Sequence, residues 1–134
     1  MKSSKGEVKI AKLLSDNKIS YKKEVSFPNL TGKGGRLLRY DFGIYYGDKL
    51  TCLIEYDGEG HFKYISHFEK NESEFEYRKG CDRKKNQYAL RHGILLIRIP
   101  YWEYDNITLE KMFNTPDFVV KNVFHNDILI RGVK

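Results

Sequence analysis

The chain has 134 residues, of which 40% are hydrophobic and 31% charged, a composition typical of one compact globular domain. It has no apolar run of transmembrane length and no signal-peptide core at its start, so we expect no membrane partner and a cytoplasmic location. The two cysteines form no CxxC pair, which argues against a zinc site or a disulfide scaffold. The net charge of +6 indicates a polyanionic partner, of which nucleic acid is the commonest.

The hydrophobic pattern of the first half predicts one helix followed by three strands. Ser4 is a candidate N-cap with Glu7 at the capping-box spacing, and the helical apolar stripe continues to about Asp16. Pro28 is expected to end the first strand, and a glycine-rich loop precedes the second. The predicted strands cover 19–27, 37–46 and 50–57.

The second and third strands form a predicted hairpin whose register follows from their apolar faces. Pairing Phe42 with Ile54 unites these faces and sets Asp41 opposite Glu55 on the other face. This register predicts a three-residue turn over 47–49, because a two-residue turn would break the match.

The second half begins with a polar, irregular stretch over 58–74. A long helix is predicted over 73–91, and Gly93 is its stop signal. The inward candidates on this helix are Phe75, Tyr88 and Leu90.

The remaining segments are a buried strand over 94–99, a short helix capped by Asn106, and a stretch over 117–134 that fits a helix or a strand. Together the elements predict an α/β fold with a mixed central sheet flanked by helices. We expect a single domain over 1–134, with its core at about 4–107 and a C-terminal extension at 108–134.

Two carboxylates end the hydrophobic strand that leads into Gly58. Glu55 and Asp57 project to one side of it, and Asp41 is predicted opposite on the neighbouring strand. Three like charges at this distance repel strongly, so a hard divalent cation, Mg²⁺ or Mn²⁺, is the expected partner. Such a metal would polarise a scissile phosphate and lower the pKa of a bound water. The alternative is that Glu55 and Asp57 are surface residues at a strand end.

Two further residues could join this cluster. His61 follows the strand in a glycine-flanked segment, and its imidazole could activate the attacking water or protonate the leaving oxygen. Glu7 could reach the cluster if the first helix packs across the hairpin. The alternatives are that His61 is an exposed loop residue and that Glu7 only completes the capping box.

The long helix carries bases around one acid. Asp82 and Asn86 share a helical face at i, i+4, and a lone acid among bases could serve a second metal or a catalytic histidine. Bases on such a helix suit phosphate contacts that position nucleic acid, although a solvated charged face is the alternative. The residues predicted to contact nucleic acid are Arg78, Lys79, Arg83, Lys84, Lys85 and Asn86 on this helix, with Lys33, Arg36 and Arg39 before Asp41.

This ordered pattern resembles the PD-(D/E)XK endonucleases, and more narrowly the very-short-patch-repair (Vsr-like) and phage-type homing endonucleases with an EDxHD order. Its parts are Glu7 in a helix, Asp41 in Tyr-Asp-Phe, Glu55 with His61 shortly after, and Asp82 in a Lys/Asn-rich helix before Gly-Ile-Leu-Leu-Ile-Arg-Ile-Pro-Tyr. The resemblance implies a restriction-endonuclease-like fold and a metal-dependent nuclease.

The resemblance, which spans about residues 4–107, also implies roles for single residues. It implies that Asp41 is the principal metal ligand and that Glu55 is a further ligand. It implies that His61 is a general base or acid, that Asp82 is its partner or a second-metal ligand, and that Glu7 is an outer acid. In the wider superfamily a lysine stands two residues after the second acid, where this chain has Asp57. The zinc-binding cysteines of the repair enzymes are also missing, so a mismatch-repair role is not expected.

We therefore expect hydrolysis of DNA by a metal-activated water, with no small-molecule cofactor. The product would be a nick, or a double-strand break if the protein forms a homodimer. Branched DNA and RNA stay open as substrates, and a non-catalytic nucleic-acid-binding protein is the alternative of another class. Phage origin and action in the host cytoplasm follow from the resemblance alone.

Overall fold

The computed structural model describes residues 3–62 and 72–131, so part of the polar stretch predicted at 58–74 lies outside the described residues. Within them, a mixed four-stranded sheet has the order β1-β2-β3-β4; β1, β2 and β3 are antiparallel and β4 is parallel to β3. The strands are Tyr21–Thr31 (β1), Leu37–Tyr46 (β2), Lys49–Asp57 (β3) and Leu95–Pro100 (β4). The helices are Lys5–Asp16 (α1), Glu72–Arg91 (α2), Leu109–Asn114 (α3) and His125–Arg131 (α4). The predicted α/β fold with a mixed sheet flanked by helices is confirmed.

Two hydrophobic cores cover the two faces of the sheet. The core under α1 and α3 includes Ile10, Leu14, Phe42, Ile54, Ile97 and Met112. The core under α2 includes Val25, Tyr40, Leu53, Ala89, Leu96 and Val120. Each fully buried aliphatic side chain contributes about 1.5–3 kcal/mol, so the two cores together fix the helices against the sheet.

The alternation of β2 breaks at Asp41. Tyr40 belongs to the core under α2 and Phe42 to the core under α1, although residues two apart in a regular strand share a face. The ladder between β2 and β3 begins at Phe42, and on β1 the residue at the level of the break, Glu24, has a left-handed φ of 55°. Such irregularities re-aim single side chains, here the Asp41 carboxylate.

The hairpin register is confirmed, whereas the turn prediction is wrong. Phe42 pairs with Ile54 as expected, but Tyr46 pairs with Lys49, so the turn over 47–48 has two residues. A register shift between the turn and the Phe42 pair inserts the missing residue as a bulge in the ladder. The bulge restores the match of apolar faces that the two-residue turn would otherwise have broken.

Two predicted element boundaries are also wrong. β1 continues through Pro28, because it is an edge strand with an irregular register there and the missing N–H of proline is not needed. Thr108 caps α3 in place of Asn106, and its Oγ1 accepts the Lys111 N–H at 3.1 Å. Asn106 instead ends a 3₁₀ helix.

The inward face of α2 is polar rather than apolar. Leu90, predicted to point inward, is exposed and Tyr88 is half-buried, whereas Asp82 and Asn86 are buried. The reason lies beneath the helix, where the completely buried Arg98 of β4 requires polar partners.

The segment after α3 contains both structure types that its sequence left open. Val119 forms an antiparallel bridge to Ile97, Val120 is buried in the core under α2, and α4 follows. Among the helices of the described residues, none has the length and apolar character needed to cross a membrane.

Candidate active site

At the break in β2, carboxylate side chains take the place of sheet hydrogen bonds. The N–H of Asp41 donates to Glu55 Oε1 at 2.7 Å, and the N–H of Tyr56 donates to Asp41 Oδ2 at 2.8 Å. Glu55 is buried, with 2% of its surface exposed, whereas Asp41 is half-buried. Two of the three acids predicted to bind metal, Asp41 and Glu55, are therefore side by side, held by backbone groups.

The ammonium of Lys85 reaches these acids from α2. Its Nζ donates to Glu55 Oε2 at 3.1 Å, and its side chain is 13% exposed. The hydroxyl of Tyr40 donates to the main-chain oxygen of Lys85 at 2.8 Å, which fixes the helix at this point. The charge of Lys85, which the sequence places among the predicted nucleic-acid contacts of the helix, therefore lies inside the acid site.

A third carboxylate comes from α1. The N-cap is confirmed, since Ser4 Oγ accepts the Glu7 N–H at 3.2 Å. One residue earlier, Gly6 is buried against the ring of Tyr56, and a Cβ at Gly6 would overlap that ring. Glycine therefore lets α1 approach β3 closely and carries Glu7 toward the acid site.

The surroundings of Asp41 disfavour its ionised form. Burial, and after it the carboxylates of Glu55 and Glu7, raise the pKa of Asp41 to about 8. The Tyr56 N–H and the Lys85 ammonium act in the opposite direction and do not cancel the effect. An additional positive charge at Asp41 would relieve this repulsion.

Asp57 lies apart from this group. It is completely buried; its Oδ1 accepts from Arg98 Nη1 at 2.7 Å and its Oδ2 from Asn126 Nδ2 at 3.1 Å. The prediction of Asp57 as a metal ligand is corrected, because the guanidinium matches its charge and both oxygens are engaged.

Arg98 is the central residue that the sequence prediction missed. Besides Asp57, its Nε donates to Asn86 Oδ1 at 2.7 Å and its Nη2 to the Asp82 main-chain oxygen at 3.3 Å, while Nη1 lies 3.7 Å from Glu55 Oε2. Asn86, predicted to contact nucleic acid, is instead buried and held by Arg98. The available signal was an arginine within the apolar strand ILLIRI, since a buried charge needs partners.

His61 and Asp82 form a hydrogen-bonded pair at the other end of this network. His61 Nδ1 lies 2.8 Å from Asp82 Oδ2, and the two side chains are 22% and 5% exposed. Because an ionised carboxylate can only accept, Nδ1 carries the proton and Nε2 is the atom that can exchange one with a substrate. His61 Nδ1 is also 3.6 Å from Asp57 Oδ1, so Arg98 and Asp57 connect this pair to the acid site.

The His61–Asp82 pair is charged at neutral pH. Burial by itself lowers the pKa of His61, but the carboxylates of Asp82 and Asp57 outweigh it and raise that pKa to about 9. Burial by itself also raises the pKa of Asp82, but His61 and Arg98 hold it at about 2. The pair is thus an imidazolium and a carboxylate, in which His61 is a proton donor.

The predicted bases on α2 divide between two flanks of the helix. Arg83 donates from Nε and Nη2 to Asp127 of α4 at 3.1 Å each, and Lys79 Nζ lies 3.4 Å from the same carboxylate. Lys84 lies elsewhere and donates to the main-chain oxygen of Thr31 at 3.2 Å. The charges of Lys79 and Arg83 are therefore shared with an acid.

The remaining predicted phosphate contacts lie near the β1–β2 connection. Lys33 and Arg36 are exposed, and Arg39 is exposed with Nη1 3.7 Å from Glu24 Oε2. Arg78 is half-buried on α2 and lines a hollow together with Lys33.

The donor set suits a metal that needs few protein ligands. Within residues 3–62 and 72–131, no three His, Cys, Asp or Glu side chains form a group that could hold a metal ion. Mg²⁺ is commonly held by one or two carboxylates, with waters and substrate phosphate completing its shell. Asp41, half-buried and destabilised as an anion, fits such a site, with Glu55 beside it.

Comparisons with known proteins give one informative match. A 75-residue stretch, 55% of the chain, is 35% identical to uncharacterized protein 307L of Invertebrate iridescent virus 6. The matched stretch represents 36% of the length of that viral protein. No family model matches the chain, and no solved structure matches it.

Proposed function

We propose that this protein is a metal-dependent endonuclease that hydrolyses phosphodiester bonds in DNA. The observation that carries the proposal is the cluster of Asp41, Glu55 and Lys85 at the break in β2. Two carboxylates and an ammonium are also the charged groups of the PD-(D/E)XK pattern. In this chain the ammonium comes from α2, which offsets the replacement of the usual lysine by Asp57.

Each residue of the site has a chemical task in this proposal. Asp41 and Glu55 would hold Mg²⁺ or Mn²⁺, which supplies polarisation of the scissile phosphate and a lower pKa for the attacking water. Lys85 would balance the Glu55 charge and stabilise the negative charge that develops on the phosphate. His61, charged and held through Nδ1, would give its Nε2 proton to the leaving oxygen, so its protonation favours the role of acid over that of base.

The net charge and the viral relative bear on the substrate and the setting of this activity. A net charge of +6 supports a polyanionic substrate. The viral relative is compatible with a phage-encoded protein that acts in the host cytoplasm, and its name describes no activity. A monomer with this single site would nick one strand, whereas a homodimer would cut both.

Cleavage of labelled duplex DNA, branched DNA and RNA, side by side with Mn²⁺, Mg²⁺ or EDTA, tests the proposed function. Metal-dependent cleavage of a DNA substrate is the expected result, and the preferred substrate names the subclass. Cleavage of RNA with both DNA substrates intact would replace DNA by RNA in the proposal. Tight binding of DNA that is equal in EDTA and leaves every substrate intact would establish the non-catalytic alternative.

A further inference from the structure

A groove runs along α2 on the side where Lys84 lies. It consists of two hollows of about 380 and 490 Å³ along the helix, the first lined by the end of β1 and the second by Lys33 of the connection after β1. Lys84 Nζ donates to the main-chain oxygen of Thr31, and Tyr77 Oη accepts the Lys33 N–H at 2.6 Å, so the chain after β1 is held to α2 at both hollows. We call this the α2 groove.

Basic side chains follow the length of the α2 groove. Arg78, Lys84 and Arg91 come from the helix and Lys33 from the opposite wall, while Glu74 is the acid in the lining. From Arg78 to Arg91 the helix rises by about 20 Å. Along the axis of duplex DNA that length spans about six nucleotides of each strand, at 3.4 Å each.

The charges of the α2 groove differ from those on the other flank of the helix. Lys79 and Arg83 share the Asp127 carboxylate there. Within residues 3–62 and 72–131, no salt bridge involves Lys84 or Arg91. The two cations therefore keep their full charge for an anionic partner.

One wall of the α2 groove is made rigid by stacked rings. The ring of Tyr88 is stacked on that of His92, with centroids 4.0 Å apart, and is tilted against that of Phe27 of β1 at 4.9 Å. His92 Nδ1 is also 2.9 Å from the Tyr88 main-chain oxygen. A wall that is already ordered loses little conformational freedom when a ligand binds beside it.

One turn of α2 faces both the α2 groove and the acid site. Lys84 and Lys85 are consecutive, and about 100° of helical rotation separates their directions. Lys84 points to Thr31 at the groove, whereas Lys85 points to Glu55 in the acid site. The same turn of α2 therefore contributes one side chain to the groove and one to the acid site.

We propose that the α2 groove binds the phosphodiester backbone of a nucleic acid. The identification of that nucleic acid as the substrate rests on the proposed function. Contacts from lysine and arginine to phosphates position a strand without reading its sequence and release counterions on binding. A polyanion with a regular charge repeat fits a line of cations better than an acidic protein surface would.

The test compares Lys84→Gln/Arg91→Gln with a matched control, Lys12→Gln/Lys121→Gln, which removes two exposed charges elsewhere. Binding of fluorescent duplex DNA is measured in EDTA over a range of salt concentrations, after thermal melting has shown that all proteins are folded. The groove variant is expected to bind about tenfold more weakly, and its log–log salt slope to fall by about 1.8, or 0.9 for each lost phosphate contact. The control is expected to change the affinity less than twofold.

Three results would overturn the inference: equal losses in the groove and control variants, an unchanged salt slope, or tighter groove-dependent binding of polyglutamate than of DNA. Plasmid cleavage measured in parallel separates this inference from the proposed function. If the protein cleaves plasmid but its DNA binding does not depend on the groove residues, only the inference about the groove is wrong. If DNA binding depends on the groove residues but no metal supports cleavage, the proposed hydrolytic function is wrong and the inference about the groove holds.

Discussion

Asp41 and Glu55 are joined by hydrogen bonds that cross between β2 and β3. The Asp41 N–H donates to Glu55 Oε1, while the Asp41 carboxylate accepts from Tyr56, the residue after Glu55. Backbone groups thus hold two acids together in a partly buried position. Burial and the neighbouring carboxylates disfavour the ionised form of Asp41, and a cation bound at the site proposed above would favour it.

Asp41→Asn should stabilise the metal-free protein, by about 1 kcal/mol at pH 8. The amide oxygen can still accept the Tyr56 N–H, and the repulsion by Glu55 and Glu7 is removed. Burial and these carboxylates raise the pKa of Asp41 to about 8 in the folded wild type. The stability that depends on protonated Asp41 is therefore complete below the ordinary aspartate pKa near 4 and is lost as the pH rises through 8. Urea unfolding in EDTA at several pH values checks this. The same pH dependence in variant and wild type would contradict it.

Mg²⁺ or Mn²⁺ should raise the melting temperature of the wild type and leave that of Asp41→Asn unchanged. A ligand at 100 times its Kd stabilises the folded state by about 2.7 kcal/mol. Thermal melting with increasing metal concentration measures the effect, with Ser26→Asn on the exposed edge strand as a control that should respond like the wild type. An equal shift in wild type and Asp41→Asn would place the metal elsewhere.

The pairing within the hairpin was predictable because it depends on residues that are close in sequence. Apolar alternation determined the pairing of Phe42 with Ile54, since each strand has one face to bury. The turn was not predictable from that alternation, because a bulge next to it absorbs one residue. The break at Asp41 likewise depends on which of two cores Tyr40 and Phe42 enter, and that is decided by packing between distant segments.

The polar interior of the site was harder to predict than the strands. Asp82 and Asn86 were expected on one helical face, but the sequence did not indicate that this face turns inward. The direction depends on Arg98, which lies on another element and needs acceptors in a buried position. Asn126 joins from α4, in a segment whose helical state the periodicity left open.

His61→Ala should lower the cleavage rate by about 10²–10⁴-fold, because it removes the proton donor to the leaving oxygen. Since Asp82 and Asp57 raise the pKa of His61 to about 9 against the effect of burial, the wild-type rate should fall as the pH rises through 9. Single-turnover rates between pH 6 and 10 measure both effects. If the rate of His61→Ala shows the same pH dependence as that of the wild type, another group carries out the proton transfer.

Asp82→Asn should slow cleavage nearly as much as His61→Ala, and the double variant should be little worse than either. The reason is that the two residues act as one unit through the 2.8 Å contact, and such pairs are not additive. Effects that multiply in the double variant would show that the residues act independently.

Arg98→Met should destabilise the protein by about 3–5 kcal/mol, since Asp57 would remain buried without its cation. Urea unfolding measures the change, and Lys12→Met, at an exposed position, should stay within about 0.5 kcal/mol of the wild type. A loss for Arg98→Met as small as that for Lys12→Met would contradict the buried network.

Gly6→Ala should destabilise the protein by about 1–3 kcal/mol although alanine favours helices, because its Cβ overlaps the buried ring of Tyr56. It should also slow cleavage by moving Glu7. Tyr56→Leu/Gly6→Ala, which makes room for the Cβ, should recover part of the stability. A more stable Gly6→Ala would show that α1 does not approach β3 this closely.

Nicking of supercoiled plasmid by wild type and Asp41→Asn, with Mn²⁺ or EDTA, tests the proposed reaction most directly. Asp41→Asn is the sharpest comparison because it should be folded and at least as stable as the wild type, so lost activity cannot come from unfolding. The wild type should nick the plasmid only with metal, and Asp41→Asn should leave it intact. Equal nicking by both proteins, or nicking that persists in EDTA, would contradict the assignment of a metal-dependent nuclease site to Asp41.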